Sequence, residues 1–146
     1  MSKSNTFEND LLQLIFNNVD IADIGDAGGL QNSATAGSLY IALHTADPGE
    51  AGNATTSESA YGSYARQAVA RSGAGWTVSG NSATNAALIQ FPECTSGSET
   101  ITHVSITTAV SGASKILYSG ALSASRSVSS GIQPQFAAAA LTVTED

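Results

Sequence analysis

Two histidines have the widest chemical range of any side chains in this sequence, since imidazole carries protons and binds metals near neutral pH. His44 and His103 each lie in a stretch whose apolar residues alternate as in a β-strand. A zinc site needs three or four converging ligands, usually with a local pair at short spacing, and the sequence offers no such pair. We therefore expect both histidines to form structural hydrogen bonds, with a metal role as the minor alternative and no cofactor.

Acidic residues lie in the stretch HTADPGE, residues 44–50, at the end of the first predicted strand. Asp47 and Glu50 frame a Pro-Gly pair, which favours a tight turn because proline fixes φ and glycine tolerates positive φ. With Glu58 they could form a weak Ca²⁺ site, although the spacing differs from that of an EF-hand loop. We expect a turn by which the strand leaves its sheet, and the Ca²⁺ site is the alternative.

Catalysis finds little support in the sequence. No serine stands in a Gly-x-Ser-x-Gly elbow, and the acids lie mainly in the N-terminal helix, in loops and at the C-terminus. The stretch GDAGG at 25–29 has no Walker lysine. The single cysteine, Cys94, lacks the nearby cations that stabilise a thiolate, so we expect it to be a small, semi-buried hydrophobic residue. The sequence predicts that the protein is not an enzyme.

The period of the apolar positions predicts the elements that carry these residues. Residues 7–19 have apolar side chains three and four apart, which predicts a helix capped by Asn5 or Thr6. From Ser38 the period changes to two, and turn residues separate short runs. The predicted strands cover 38–44, 64–71, 75–80, 86–92, 100–107, 115–122, 125–131 and 140–145. This pattern predicts a mainly β fold, an antiparallel β-sandwich or jelly roll of about eight short strands with an N-terminal helix.

The change of period also divides the chain. Residues 1–37 are predicted to form an N-terminal helix and loop arm, and residues 38–146 a single β-sandwich domain. The formal charge is −7 and the five cations are scattered, so we expect no direct binding to nucleic acid. No apolar run reaches membrane-spanning length and the N-terminus lacks a signal-peptide pattern, which predicts a soluble protein made in the cytoplasm and no membrane partner.

Six blocks of the sequence occur in the order found in a known family. They read LYIALHTADPGEAG, YGSYARQAV, GWTVSG, NAALIQFPE, THVSITTAVSGASKILYSGAL and VSSGIQPQFAAAALTVTED. In these blocks the chain resembles a widespread family of small virion proteins of tailed bacteriophages, often described as tail-fibre-like, over residues 7–145. The resemblance implies a structural protein of the virion that is made in the cytoplasm of the host.

Two structural roles fit such a family. The first is a capsid decoration or cement protein on the outer capsid surface, bound as a homodimer or homotrimer to the major capsid protein. Its candidate interface is the apolar face of the helix, formed by Phe7, Leu11, Leu14 and Ile15. The alternative is a tail-fibre or tail-tip module for host attachment, although the sequence has no repeat, heptad or shaft segment. A glycan-binding domain is a weaker alternative, because most of the few aromatic residues are expected in the core.

Overall fold

The computed structural model describes residues 1–146 and contains one helix and nine strands. In chain order the elements are α1 (Asn5–Asn17), β1 (Ser38–His44), β2 (Gln67–Ala70), β3 (Trp76–Ser79), β4 (Ser82–Asn85), β5 (Ile89–Gln90), β6 (Ser98–Thr107), β7 (Ile116–Ser129), β8 (Gln135–Phe136) and β9 (Thr142–Thr144). None of its helices has the length and apolar character needed to cross a membrane. The predicted class, a mainly β antiparallel fold preceded by one helix, is confirmed.

The strands form three sheets. The largest has four strands in the order β2-β1-β6-β7, and β1–β6 and β6–β7 are antiparallel pairs. A second sheet has the order β3-β4-β9, also antiparallel, and a third consists of β5 and β8. The 14-residue strand β7 therefore forms one edge of the largest sheet.

The region 115–131 differs from the prediction of two strands, because β7 runs through it without interruption. Ile101 of β6 faces Arg126, whereas His103 faces Ala121, so the four residues 122–125 stand against the single residue Thr102 and bulge out of the ladder. Ser123 and Ser125 of this bulge gave the pattern of a break between strands. The prediction also missed β4, a polar four-residue strand, and β8, which has only two residues.

Helix α1 begins slightly earlier than predicted, because its N-cap is Ser4 and not Asn5 or Thr6. The Ser4 hydroxyl oxygen accepts a hydrogen bond from the backbone N–H of Phe7 at 3.3 Å. A serine oxygen at this position satisfies one of the backbone donors that the first helical turn leaves unpaired.

The C-terminal end of α1 is held by two different groups. Asn18 has a left-handed conformation, with φ 59°, and its N–H donates to the Gln13 carbonyl. The Arg71 guanidinium donates to the carbonyls of Leu14 at 2.6 Å and Ile15 at 2.7 Å. The last carbonyls of a helix carry partial negative charge, so the partly buried contacts of the Arg71 cation stabilise this end.

The chain forms two compact units. The first comprises Met1–Ser38, Val69–Leu88 and Phe136–Asp146, and the second comprises Leu39–Ala68 and Ile89–Gln135. In the first unit, α1 packs on β3 and β4, and the Phe16 ring lies 4.6 Å from the Trp76 ring. Both aromatic side chains are fully buried, as expected for most of the aromatic residues. The predicted division into 1–37 and 38–146 stays a prediction.

The core of the second unit includes side chains of β1 and of the segment that follows β5. Ile41, Leu43 and Phe91 are buried in it. Every residue of β1 from Ile41 to His44 is buried, whereas the alternating pattern predicted only one buried face. The second face is covered by the segment that follows β1, since the Thr56 carbonyl lies 2.9 Å from the His44 ring.

Candidate functional site

His44 and Ser105 form a hydrogen-bonded pair on neighbouring strands of the second unit. In the β1–β6 register Ser105 stands opposite Ala42, two residues before His44. His44 Nε2 lies 2.7 Å from Ser105 Oγ, and His44 Nδ1 lies 2.9 Å from the carbonyl oxygen of Thr56. Because a carbonyl only accepts, Nδ1 donates to Thr56 and Nε2 accepts from the Ser105 hydroxyl. This connectivity is that of a nucleophile and its general base.

The pair is nevertheless closed to solvent. His44 is 0% exposed and Ser105 is 1% exposed. Loss of hydration is the largest influence on the His44 imidazole and lowers its pKa below the ordinary value of 6.5, against the opposing effects of the Thr56 carbonyl and the Glu58 charge. A substrate atom cannot approach Ser105 Oγ in this conformation, so the pair acts as a cross-strand link. The predicted structural hydrogen bonds of His44 are present.

An ion pair between a buried arginine and a half-buried glutamate lies close to this link. Arg66 is 5% exposed, and its Nε and Nη2 atoms donate to the two carboxylate oxygens of Glu58 at 2.6 and 2.8 Å. The remaining donors reach the loop between β6 and β7: Nη1 bonds the Ala109 carbonyl at 3.0 Å and Ser114 Oγ at 3.1 Å, and Nη2 bonds the Gly112 carbonyl at 2.9 Å. The bidentate pairing is strong and directional. Arg66 therefore clamps two loops together, and its guanidinium donors all have partners within the chain.

The tyrosines extend this network into the core. Tyr64 Oη accepts from the N–H of Leu43 at 3.0 Å and donates to Glu58 at 3.2 Å. Burial raises the pKa of the Tyr64 phenol well above its usual range, and burial also raises that of Tyr61 to about 12. The Tyr64 ring contacts those of Tyr61 and Phe91. These aromatic groups fill the interior and do not form an exposed platform of the kind that stacks on sugars.

The stretch HTADPGE is the exit turn that the sequence predicted. Strand β1 ends at His44, and Asp47 Oδ1 then accepts a hydrogen bond from the Gly49 N–H at 2.9 Å. Gly49 has φ 68°, a conformation that glycine adopts without strain. Glu50 is exposed, whereas Glu58 is bound to Arg66. The alternative of a Ca²⁺ site built from Asp47, Glu50 and Glu58 is therefore not formed.

Other residues considered for chemistry have structural surroundings. No group of three or more His, Cys, Asp or Glu side chains is placed to hold a metal ion. Cys94 is fully buried and its sulfur lies 3.2 Å from the Ser96 carbonyl. His103 Nδ1 lies 2.8 Å from Thr102 Oγ1, its neighbour in the chain.

The four residues of the candidate interface lie on one flank of α1. Leu12 and Phe16 are the fully buried hydrophobic residues of the helix. The candidate residues are all half-buried: Phe7, Leu11, Leu14 and Ile15. Their apolar side chains are thus divided between the interior of the first unit and solvent, and which further surface they cover stays a prediction.

Two features of this region were not predicted from the sequence. The pairing of His44 with Ser105 was recoverable in part, because strands of period two place a serine of β6 near β1 once their register is known. The clamp of Arg66 was not recoverable, since Glu58 and residues 109–114 lie in irregular segments whose meeting depends on tertiary structure.

A comparison with family models identifies relatives of this chain. The model described as "Podophage GP4 fiber I protein gp80" matches residues 2–144. No curated protein matches the chain significantly. The family match covers nearly the whole chain, and it confirms the resemblance to structural proteins of tailed phages. The chain belongs to the podophage GP4 fiber I protein gp80 family and is a structural protein of the phage particle.

Proposed function

We propose that the protein is a compact, non-enzymatic module of a fibre on the phage particle. The observation that carries this proposal is the family match over residues 2–144, because the family is described by a fibre protein. The sequence contains no repeat or heptad segment from which a shaft is built. The module therefore fits the base or the tip of a fibre, where a short β-rich chain needs no shaft of its own. In this proposal the protein acts as a homo-oligomer, which is the commonest kind of soluble oligomer.

Burial of the chemically capable residues supports a role without catalysis. The Ser105 hydroxyl and the His44 ring have the connectivity of a catalytic pair but no access to solvent. The hydrogen-bonding groups of Arg66 and Glu58 are satisfied by each other, and Arg66 also donates to the Ala109 carbonyl of a loop. An enzyme would hold at least one such group at the surface of a cleft.

Capsid decoration is the second candidate function. It is favoured by the half-buried apolar flank of α1, with Phe7, Leu11, Leu14 and Ile15, in a chain whose charge is −7. Such a flank can bury against the major capsid protein, and an acidic protein on the outer shell is repelled by nucleic acid.

Cryo-electron microscopy of reconstituted particles separates the two roles. Purified protein is mixed with capsids and, separately, with tailed particles that both lack it. Extra density in the tail region alone is the expected result and supports the fibre module. Regular density on the symmetry axes of the shell would overturn that assignment in favour of decoration. In that case Leu11→Ser with Leu14→Ser should abolish shell binding, whereas the exposed Glu50→Ala variant should bind like the wild type.

A further inference from the structure

Three large aliphatic side chains are exposed on a short hairpin of the first unit. The hairpin, residues 18–33, is closed by an antiparallel bridge between Ile21 and Leu30, whose N–H and carbonyl groups pair at 3.0 and 2.8 Å. Val19 is 48% exposed, Ile24 37% and Leu30 43%. Apolar side chains that cluster at the surface commonly mark an interaction site. We refer to residues 18–33 as the apolar hairpin.

The apolar hairpin is held in one conformation by polar side chains. Asn18 Nδ2 donates to the Ser33 carbonyl at 2.8 Å, and the Ser33 N–H donates back to Asn18 Oδ1 at 3.0 Å. Asp20 Oδ1 accepts from the Asn32 N–H at 2.6 Å. The exposed aliphatic side chains are thus displayed on an ordered segment, which lowers the entropy lost on docking.

The rim of the apolar hairpin is acidic. Asp20, Asp23 and Asp26 lie within it, and none of them forms an ion pair. Asp20 and Asp26 accept hydrogen bonds from backbone N–H groups only. A partner surface that fits must be apolar at its centre and must bring a cation.

The charges of the chain are unevenly distributed along its length. Residues 100–144 contain no Asp or Glu, yet they include Lys115 and Arg126. The other three cations are engaged within the chain: Lys3 with Glu145, Arg66 with Glu58, and Arg71 with the carbonyls of α1. Lys115 and Arg126 are exposed and have no partner within the chain, so they are available to a second molecule.

Lys115 follows a loop that also exposes an apolar residue. Val110 is 60% exposed, and the Thr108 N–H closes the loop by donating to the Lys115 carbonyl at 3.2 Å. Arg66 fixes this loop from inside through Ala109, Gly112 and Ser114. We call residues 108–115 the clamped loop. It combines an ordered backbone, an exposed aliphatic side chain and a cation with no acid nearby in sequence.

We propose that the apolar hairpin of one copy docks on the clamped loop of a second copy of this chain. Val110 packs among Val19, Ile24 and Leu30, and Lys115 faces the acidic rim. The two surfaces are different parts of the chain, so the interface is heterologous, and it builds a ring where the rotation between successive copies closes. The choice of a second copy as the partner rests on the proposed homo-oligomer and not on its place in the particle.

Charge reversal tests the interface on the purified full-length protein. Sedimentation velocity over a concentration series gives the dissociation constant of the oligomer. Lys115→Glu and Asp23→Lys should each raise this constant about tenfold, because each replaces an attraction by a repulsion. The double variant should return to within about threefold of the wild type, since the charges are exchanged and again opposite. Arg126→Glu is the matched control, with the same charge change outside the clamped loop, and should leave the constant unchanged.

Other outcomes contradict the proposal in distinguishable ways. A wild-type chain that stays monomeric at all concentrations overturns the homo-oligomer and this interface together, without bearing on the fibre role. An oligomer that responds equally to Lys115→Glu and Arg126→Glu, or that the double variant does not restore, keeps the homo-oligomer but overturns this interface. Val110→Ser provides a variant without a charge change, and it should also weaken the oligomer while circular dichroism stays that of the wild type.

Discussion

Removal of the Arg66 side chain should destabilise the protein more than any surface charge change. In Arg66→Met the partner Glu58 loses both of its guanidinium hydrogen bonds, at 2.6 and 2.8 Å, while its side chain stays largely covered. The loop carbonyls of Ala109 and Gly112 lose their donors as well. Breaking a buried pair by removing one member costs about 3–5 kcal/mol of unfolding free energy. For a chain of this size that corresponds to a fall of roughly 10 °C in Tm.

Urea unfolding followed by far-ultraviolet circular dichroism measures this loss. Arg126→Met is the matched control, because Arg126 is exposed and unpartnered, and it should change the free energy of unfolding by less than about 0.5 kcal/mol. The double variant Glu58→Met with Arg66→Met should recover part of the loss, since no unpaired carboxylate remains buried. Amide hydrogen exchange of residues 109–114 should accelerate in Arg66→Met. If Arg66→Met is no less stable than Arg126→Met, the clamp contributes nothing and the reasoning is refuted.

Three further changes probe other parts of the structure. Because burial lowers the pKa of the His44 imidazole, the unfolded chain binds a proton more readily, so stability should fall as the pH drops below about 6.5, and the slope should flatten in His44→Gln. Phe16→Ala should cost about 3–5 kcal/mol in urea unfolding, because the ring is fully buried, and a loss under 1 kcal/mol would contradict its place in the core. Asp47→Ala with Glu50→Ala should remove one turn hydrogen bond, cost about 1 kcal/mol and leave particle assembly intact; failed assembly of the folded variant would reopen a functional role for this turn.

Local sequence patterns predicted the elements whose apolar residues follow a regular period. The alternating run from Ser38 to His44 became β1, and the three-and-four spacing of 7–19 became α1 within a few residues. The 14-residue β7 was divided in two, because Ser123 and Ser125 are residues typical of a turn, and only the register with β6 shows that they lie in a bulge. The polar strand β4 was missed for a related reason: its strand conformation is imposed by pairing with β3 and β9.

The candidate site was less predictable than the fold, since its contacts join residues far apart in the chain. The sequence correctly indicated that His44 is structural, but its partner Ser105 is 61 positions away. The clamp joins Arg66 to residues 43 to 48 positions away, and no local period encodes that separation. Propensity and patterning describe neighbours in sequence, whereas buried polar networks are selected by the whole tertiary structure.

The interior and the surface of this protein carry different kinds of polar group. The residues capable of proton transfer or strong ion pairing, such as His44, Ser105 and Arg66, are buried and satisfied by one another or by backbone groups. What remains at the surface is aliphatic side chains on ordered loops, an acidic N-terminal part and two unpartnered cations. Such a surface offers shape and charge for association. If association is the function, charge exchange across the interface should preserve activity in particle assembly even where each single reversal abolishes it, and an assembly defect that the exchange leaves uncorrected would point to a different surface.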